Sequence, residues 1–216
     1  MKQRHSFFKI YQAISIICTL IILSSCATSS ITSISKLQPE RPFSGILVVC
    51  IQTGDEFRAF NAESYSTYVY RQFNSFDDMK VREHLEKSLA YYMAPDGFPR
   101  ILKASDAFNV DEDYSYEQFL AKVKRSGVEA LLVVNMSNYW YTSSYVSTHY
   151  KHSTVTRETS EPNSTYYAYL YDVKNLDEYV WIGKVNVHGI YAGYDTLNNY
   201  FARKISGQLR HEKYIY

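Results

Sequence analysis

The chain has 216 residues, with 23 lysines and arginines against 22 aspartates and glutamates, and a formal net charge of +1. This length suits one domain with its own hydrophobic core. The balanced charge argues against nucleic-acid binding, which needs a basic face. Three cysteines, of which only one lies clear of the N-terminal region, exclude a disulfide framework.

The first 25 residues have the pattern of a secretory signal. Lys2, Arg4 and Lys9 form a positive start without acidic residues, and an almost wholly apolar run follows over 13–23. As a helix this run would span only about 16 Å, whereas the hydrocarbon core of a bilayer is about 30 Å thick. We therefore predict a cleaved signal over residues 1–25. An uncleaved anchor helix, or cleavage at another bond, is the alternative.

Leu23-Ser24-Ser25-Cys26 ends the apolar run and resembles the lipobox of bacterial lipoproteins. The resemblance implies cleavage between Ser25 and Cys26, and lipidation of Cys26 with a diacylglyceryl group and an N-acyl chain such as palmitate. Two or more chains anchor a protein stably to a membrane. Ala27, in place of Asp, after the cysteine favours the outer membrane, and the absence of acids from 27–36 favours its periplasmic side.

Residues 26–43 are predicted to be a flexible tether. Serine and threonine dominate this segment, and Pro39 and Pro42 follow. Such a composition favours disorder and would hold the following domain on the order of tens of ångströms from the membrane. We assign residues 44–216 to a single domain, which is slightly acidic because the leader removes basic residues only.

Two short apolar runs, over 45–51 and 130–134, predict buried strands in the first half of this domain, and 100–104 is a short strand candidate between them. Continuous apolar runs rich in β-branched residues are typical of strands covered by helices on both faces. Cys50 lies in the first run, so we expect a small buried side chain and not a reactive thiol.

Two helices separate these strands. The first follows a capping-box pattern at Ser75-Phe76-Asp77-Asp78. Its apolar face repeats every four residues: Val81, Leu85, Leu89 and Met93. The second helix begins at the capping box Ser115-Tyr116-Glu117-Gln118 and ends at Gly127, which suits a left-handed C-cap. Residues 65–73 are compatible with a strand or a helix, so the topology of 54–74 stays open.

The sequence of the second half of the domain predicts antiparallel strands and a final helix. Residues 136–150 indicate a long strand that leaves the sheet, and 149–164 an exposed polar loop. Residues 166–173 and 179–188 then predict a β-hairpin. The last helix, capped by Asp195 or Thr196, carries an apolar face formed by Leu197, Phe201, Ile205 and Leu209. The predicted fold class is α/β: a single three-layer-like domain with a mixed sheet of about five strands, a C-terminal β-hairpin and helices packed on the sheet.

Three segments resemble a family of bacterial lipoproteins of unknown function with a tyrosine-rich α/β domain. They are Phe119–Val133 (FLAKVKRSGVEALLV), Tyr169-Leu170-Tyr171-Asp172-Val173 and Val180-Trp181-Ile182-Gly183. The resemblance covers roughly residues 45–210. The order of elements is also similar to the α/β domains of curli-secretion lipoproteins, the TolB N-terminal domain and the lipoprotein activators of penicillin-binding proteins. It implies binding to other envelope proteins and no enzymatic activity.

Tyrosine is abundant, with 22 in the chain, and an aromatic band is the predicted binding surface. Its members are Tyr139, Trp140, Tyr141, Tyr145, Tyr167, Tyr169 and Tyr171. Exposed aromatic patches usually mark interaction sites. Here the partner would be an envelope protein or, alternatively, a glycan such as peptidoglycan whose sugar rings stack on the aromatic side chains.

Catalytic signatures are absent from the sequence: it contains no Gly-x-Ser-x-Gly, no phosphate-binding loop, no His-Glu-x-x-His and no Cys-x-x-Cys. His149-Tyr150-Lys151-His152 has a metal-like spacing, but its setting indicates a solvated loop. Asp111-Glu112-Asp113 lacks the spaced ligands of a calcium loop. We therefore expect a lipid-anchored, non-enzymatic interaction module without metal or cofactor; an enzyme of unrecognised type is a third possibility.

Overall fold

The computed structural model describes residues 27–54, 57, 59–151, 153–189 and 192–216. Its strands form one six-stranded mixed sheet with the order β1-β6-β5-β4-β2-β3. They are β1 (Ala27–Ser35), β2 (Gly45–Ile51), β3 (Arg100–Lys103), β4 (Ala130–Tyr150), β5 (Ser153–Asp172) and β6 (Asn175–Gly189). β2 is parallel to β3 and β4, and the remaining pairs are antiparallel.

Helical segments lie on both faces of the sheet. They are α1 (Ala62–Ser64), which continues into a π-helical turn over Tyr65–Val69, then α2 (Phe76–Met93), α3 (Ala104–Ala107), α4 (Tyr116–Arg125) and α5 (Tyr194–His211). α2 and α5 pack against each other on one face, and α4 with residues 57 and 59–73 covers part of the other. This arrangement confirms the predicted single α/β domain with three layers; the sheet has six strands because β1 joins it.

The central strands are buried on both faces, as their apolar runs predict. Every residue of β2 is buried, and its side chains alternate between the two halves of the core. Val48 contributes to the half that contains α2 and α5, and Leu47 to the half that contains α4. Cys50 is fully buried. Burial raises the pKa of its thiol well above the ordinary range, so the side chain is an inert apolar group at neutral pH.

The start and end of α4 confirm the sequence pattern. Ser115 accepts a hydrogen bond from the amide of Gln118, and the Gln118 side chain accepts one from the amide of Ser115. Gly127 follows the helix with a φ of +69°, a left-handed conformation that glycine adopts without steric cost. The strand β4 can therefore begin three residues later, at Ala130.

The other helix caps differ from the prediction. Ser75 precedes α2 but its side chain makes no capping hydrogen bond. Instead, the amide of Phe76 donates to the Asp111 carboxylate at 3.0 Å. A side chain from a distant loop therefore accepts the hydrogen bond of this first-turn amide. α5 begins after Gly193, before the predicted caps Asp195 and Thr196.

The predicted apolar faces of α2 and α5 are buried where the structure describes their side chains. The buried residues are Leu85, Leu89, Met93, Leu197, Phe201, Ile205 and Leu209. Residues 65–69, for which the sequence is compatible with a strand or a helix, are helical. None of the helices in the described ranges is long and apolar enough to cross a bilayer.

Two segments predicted to be irregular are strands. The prediction of a disordered tether over 26–43 is wrong for Ala27–Ser35, because this segment pairs with β6 along its whole length. Its serines and threonines tolerate a pleated surface well, and Ile31 packs against the core. The prediction of an exposed loop over 149–164 is also wrong, because Ser153–Asp172 is one continuous strand paired with β4.

Candidate functional site

The outer halves of β4 and β5 form a two-stranded ribbon. β6 reaches β5 only as far as Asn163, and β2 reaches β4 only as far as Asn135. Beyond these limits, ten residue pairs join 141–150 to 153–162. At about 3.3 Å per residue this segment, which we call the β4–β5 ribbon (residues 141–150 and 153–162), is about 33 Å long.

The ribbon buries little of its own surface. Ser147 and Thr156 exchange a hydroxyl hydrogen bond of 3.0 Å across it, while Tyr145 and Val155 are exposed. An isolated two-stranded ribbon is marginally stable in water at best, and its unpaired backbone edges can accept an additional strand. The ribbon is therefore suited to contact with another molecule.

The structure divides the predicted aromatic surface, because two of its members are core residues. The Tyr169 hydroxyl donates to the carbonyl of Phe57 at 2.8 Å, and the Tyr171 hydroxyl accepts from the amide of Phe60 at 2.8 Å. Both rings are buried. The prediction that they belong to a binding surface is wrong, since residues 57 and 59–73 cover this part of the sheet.

The remaining aromatic residues lie on opposite faces of the sheet. Tyr139 packs edge-to-face on Tyr194 of α5, and Tyr141 and Tyr145 follow on the same face, 61% and 71% exposed. Trp140, 43% exposed, points to the other face because side chains alternate along a strand. Tyr167, half-buried and below the Lys184 ammonium, shares that other face.

Trp140 stands at one end of a row of polar side chains that crosses four strands. Thr28 pairs with His188, His188 with Asn163, and Asn163 with Trp140. We call this surface the polar face. Its members are Thr28, Ser30, Thr32, Trp140, Asn163, Tyr167, Lys184, Asn186 and His188.

Hydrogen bonds hold the side chains of the polar face in place. Thr165 donates to the Asn186 amide oxygen at 2.9 Å, and the Asn163 amide donates to Thr142 at 3.0 Å. The His188 ring lies 2.6 Å from the Thr28 hydroxyl. Its other nitrogen lies 2.6 Å from a Glu161 carboxylate oxygen. The surface is therefore ordered before any ligand arrives.

Thr28, His188 and Glu161 are hydrogen-bonded in the same sequence as the nucleophile, base and carboxylate of a hydrolase triad. A hydrolase also needs amide donors for an oxyanion and a site that excludes water. Thr28 and His188 are exposed on an open sheet face. The three side chains link β1, β6 and β5 through their hydrogen bonds.

The start of β1 fits closely against the end of β6. Ala27 pairs with Gly189, and a Cβ atom at Gly189 would lie only 2.7 Å from the Cβ atom of Ala27. Residues 1–26 lie outside the described residues, and with them the predicted signal, its cleavage site at Ser25 and Cys26, and the lipidation of Cys26. Ala27, the first described residue, lies at the end of the sheet from which the β4–β5 ribbon extends.

A cleft of about 710 Å³ lies elsewhere, beside β3 and α4. Lys122 contacts the Tyr114 hydroxyl at 3.0 Å, and that hydroxyl donates to the Glu112 carboxylate at 2.7 Å. This polar chain connects α4 to the loop before it. Among the described residues, no group of three or more His, Cys, Asp or Glu side chains could hold a metal ion.

No family model matches the chain, and no curated protein is similar to it in sequence. Among solved structures, the chain is similar to a PelC dodecamer from Paraburkholderia phytofirmans, with 12% identity, a TM-score of 0.49 and coverage of 86% of this chain and 98% of that chain. A variant of that PelC in another crystal form has 12% identity, a TM-score of 0.48 and coverage of 85% and 98%. Lipoprotein GNA1162 from Neisseria meningitidis has 13% identity, a TM-score of 0.37 and coverage of 77% and 98%. Likeness at this level does not establish a shared function.

Proposed function

We propose that this protein is a lipid-anchored, non-enzymatic interaction module of the bacterial cell envelope, in which the β4–β5 ribbon contacts an envelope protein. The lipobox ending at Cys26 supports the anchor, and the pattern of the following residues supports the periplasmic side of the outer membrane. The sequence contains no catalytic signature that would assign an enzymatic role.

The β4–β5 ribbon is the single observation that carries the protein-binding role. It extends past both neighbouring strands, so its two outer edges present backbone groups that a partner strand can pair with. Tyr141 and Tyr145 add two exposed aromatic rings on one face. Tyrosine is enriched at protein interfaces because it combines a large apolar ring with a polar hydroxyl.

The position of β1 supports a partner close to the membrane. Ala27 already pairs with β6, so an acylated Cys26 would leave no flexible tether between the lipid and the sheet. The ribbon begins at the same end of the sheet, next to Trp140 in the row that contains Thr28. Its partner is therefore expected at the membrane surface and not deep in the periplasm.

Site-specific photo-crosslinking in intact cells tests this role. A photoreactive phenylalanine at Tyr145 should trap a discrete envelope protein. Tyr91 on α2 is the matched control, because it is a tyrosine of similar exposure, 69% against 71%, near the opposite end of the sheet. Equal crosslinking at both positions, or none at Tyr145, would contradict the proposal. Mass spectrometry of the mature N-terminus tests the lipid on Cys26 separately.

A further inference from the structure

The polar face is an open part of the sheet with an unusual composition. Seven of its side chains are exposed, and all of them except Trp140 are polar: Thr28, Ser30, Thr32, Lys184, Asn186 and His188. On the opposite face of β6, Val185 and Val187 are buried against α5. The sheet is therefore covered by helices on one side here, and presents hydroxyl, amide, imidazole and ammonium groups on the other.

Trp140 is the large apolar group on this surface. Its neighbour in the row is Asn163 on β5, and His188 on β6 follows one strand further along. The row from β4 to β1 spans three inter-strand distances, or about 14 Å at ~4.8 Å each. A half-exposed indole next to a flat array of hydrogen-bonding groups is an amphipathic surface, with an aromatic ring for stacking and polar groups for orientation.

We propose that the polar face binds an uncharged saccharide chain, with the Trp140 ring packed against the apolar face of one sugar ring. The hydroxyl and amide groups of Thr28, Asn163 and Asn186 would bond to sugar hydroxyls, which both donate and accept. This site is separate from the β4–β5 ribbon and does not depend on the protein-binding role proposed above.

The composition of the polar face favours a saccharide over the other classes of partner. A protein interface has an apolar centre, whereas this surface holds one exposed and one half-buried aromatic ring among hydroxyl and amide groups. An anionic lipid surface attracts clustered lysines and arginines. Here Lys184 is the single lysine among the members of the polar face, and His188 is paired with the Glu161 carboxylate, so this surface carries no cluster of cations.

The structure also corrects the sequence-based version of this hypothesis. The predicted aromatic band includes Tyr169 and Tyr171, which are buried, and Tyr141 and Tyr145, which lie on the opposite face from Trp140. Of the predicted band, only Trp140 and Tyr167 belong to the polar face. The saccharide site therefore consists of one stacking ring, a second half-buried ring and polar side chains contributed by β1, β5 and β6.

The test is a binding titration of the detergent-solubilised, full-length protein with two neutral probes, cellohexaose and the hexamer of N-acetylglucosamine. Calorimetry is expected to show saturable binding of at least one probe. Trp140→Ala should weaken it by about tenfold, which corresponds to the loss of about 1.4 kcal/mol from one stacked ring. Tyr141→Ala is the matched control: it is the next residue on the same strand, is also exposed, and points to the opposite face.

Three outcomes would overturn the proposal. They are the absence of saturable binding to both probes, an equal loss of binding in Tyr141→Ala and Trp140→Ala, and Trp140-dependent binding to phosphatidylglycerol vesicles in place of the sugars. Thermal unfolding of both variants establishes that they are folded. Asn186→Ala is a second variant for the same site and should weaken sugar binding severalfold without loss of structure. None of these outcomes affects crosslinking from Tyr145.

Discussion

The indole nitrogen of Trp181 donates a hydrogen bond of 2.6 Å to the carboxylate of Glu212. The same carboxylate accepts hydrogen bonds from Ser33 at 2.6 Å and from Ser35 at 3.0 Å. A single side chain after the end of α5 therefore holds β6 and β1 together. This explains why a serine-rich segment next to the predicted lipidation site is a strand and not a tether.

We expect Glu212→Gln to loosen β1 selectively. An amide cannot replace both carboxylate oxygens as acceptors, and hydrogen bonds to charged groups are each worth about 1.5–3 kcal/mol when well shielded. Since Glu212 is partly exposed, the expected loss of unfolding free energy is about 1–2 kcal/mol. Hydrogen exchange should accelerate in β1 and much less in β2. Glu178→Gln, at an exposed position of β6, is the control; unchanged protection of β1 in Glu212→Gln would contradict this account.

The contribution of Glu212 should also disappear at low pH. Desolvation opposes ionisation of Glu212, but the hydrogen bonds from Ser33, Gln208, Ser35 and Trp181 outweigh it and lower the pKa of the carboxyl below its ordinary value. A lowered folded-state pKa stabilises the protein above the unfolded-state value of about 4.3. The advantage of wild type over Glu212→Gln should therefore be constant near pH 7 and decline as pH falls below about 4. Urea unfolding at several pH values measures it; a difference that does not change with pH would be inconsistent.

Glu86 is expected to show the opposite pH dependence. Burial raises the pKa of its carboxyl, and the hydrogen bonds from the hydroxyl and amide of Ser105 only partly offset this effect. A raised folded-state pKa means that ionisation costs stability as pH rises above the unfolded-state value of about 4.3. Glu86→Gln keeps an acceptor for Ser105, so it should gain stability relative to wild type between pH 4 and pH 7. A relative loss over that range in urea unfolding would refute the assignment.

Gly189→Ala should displace the first residue of β1. The new Cβ atom would lie 2.7 Å from the Cβ and 2.8 Å from the Cα of Ala27, which is shorter than any van der Waals contact. Overpacking of this kind typically costs about 1–3 kcal/mol. We expect a lower thermal midpoint and faster exchange at the start of β1.

The matched control for Gly189→Ala is Gly207→Ala in α5. A Cβ atom at Gly207 would meet nothing within 4 Å, and alanine is the better helix former by about 0.8–1 kcal/mol. The two substitutions should thus shift the unfolding midpoint in opposite directions. Equal destabilisation by both would show that the contact between Gly189 and Ala27 is not the cause.

Features that depend on near neighbours in the chain were predictable. Ser115 and Gln118 are three residues apart, and their reciprocal hydrogen bonds follow directly from the capping-box pattern. The apolar face of α5 repeats every four residues and is buried as expected. Cys50 lies in an apolar run and is buried for the same reason. In each case the deciding interaction or pattern falls within about one helical turn or one strand.

The candidate site was predictable only in part, because strand pairing joins residues that are far apart in the chain. Tyr141 and Tyr171 have similar local sequences, rich in tyrosine, yet the first is exposed and the second is buried. What separates them is the coverage of β5 by residues 57 and 59–73, which no local pattern indicates. The polar face likewise combines Thr28, Asn163 and His188 from three strands, and single-sequence patterns do not show which strands become neighbours.

The signal and lipobox pattern, the α/β class, the buried strands and the amphipathic helices could all be predicted from the sequence, because each depends on composition or on short-range periodicity. Long-range contacts were needed to make Ala27–Ser35 a strand, to pair 141–150 with 153–162 as a ribbon and to bury Tyr169 and Tyr171. Those outcomes depend on contacts such as the one between Ser33 and Glu212, which forms only after the rest of the chain has brought the two residues together.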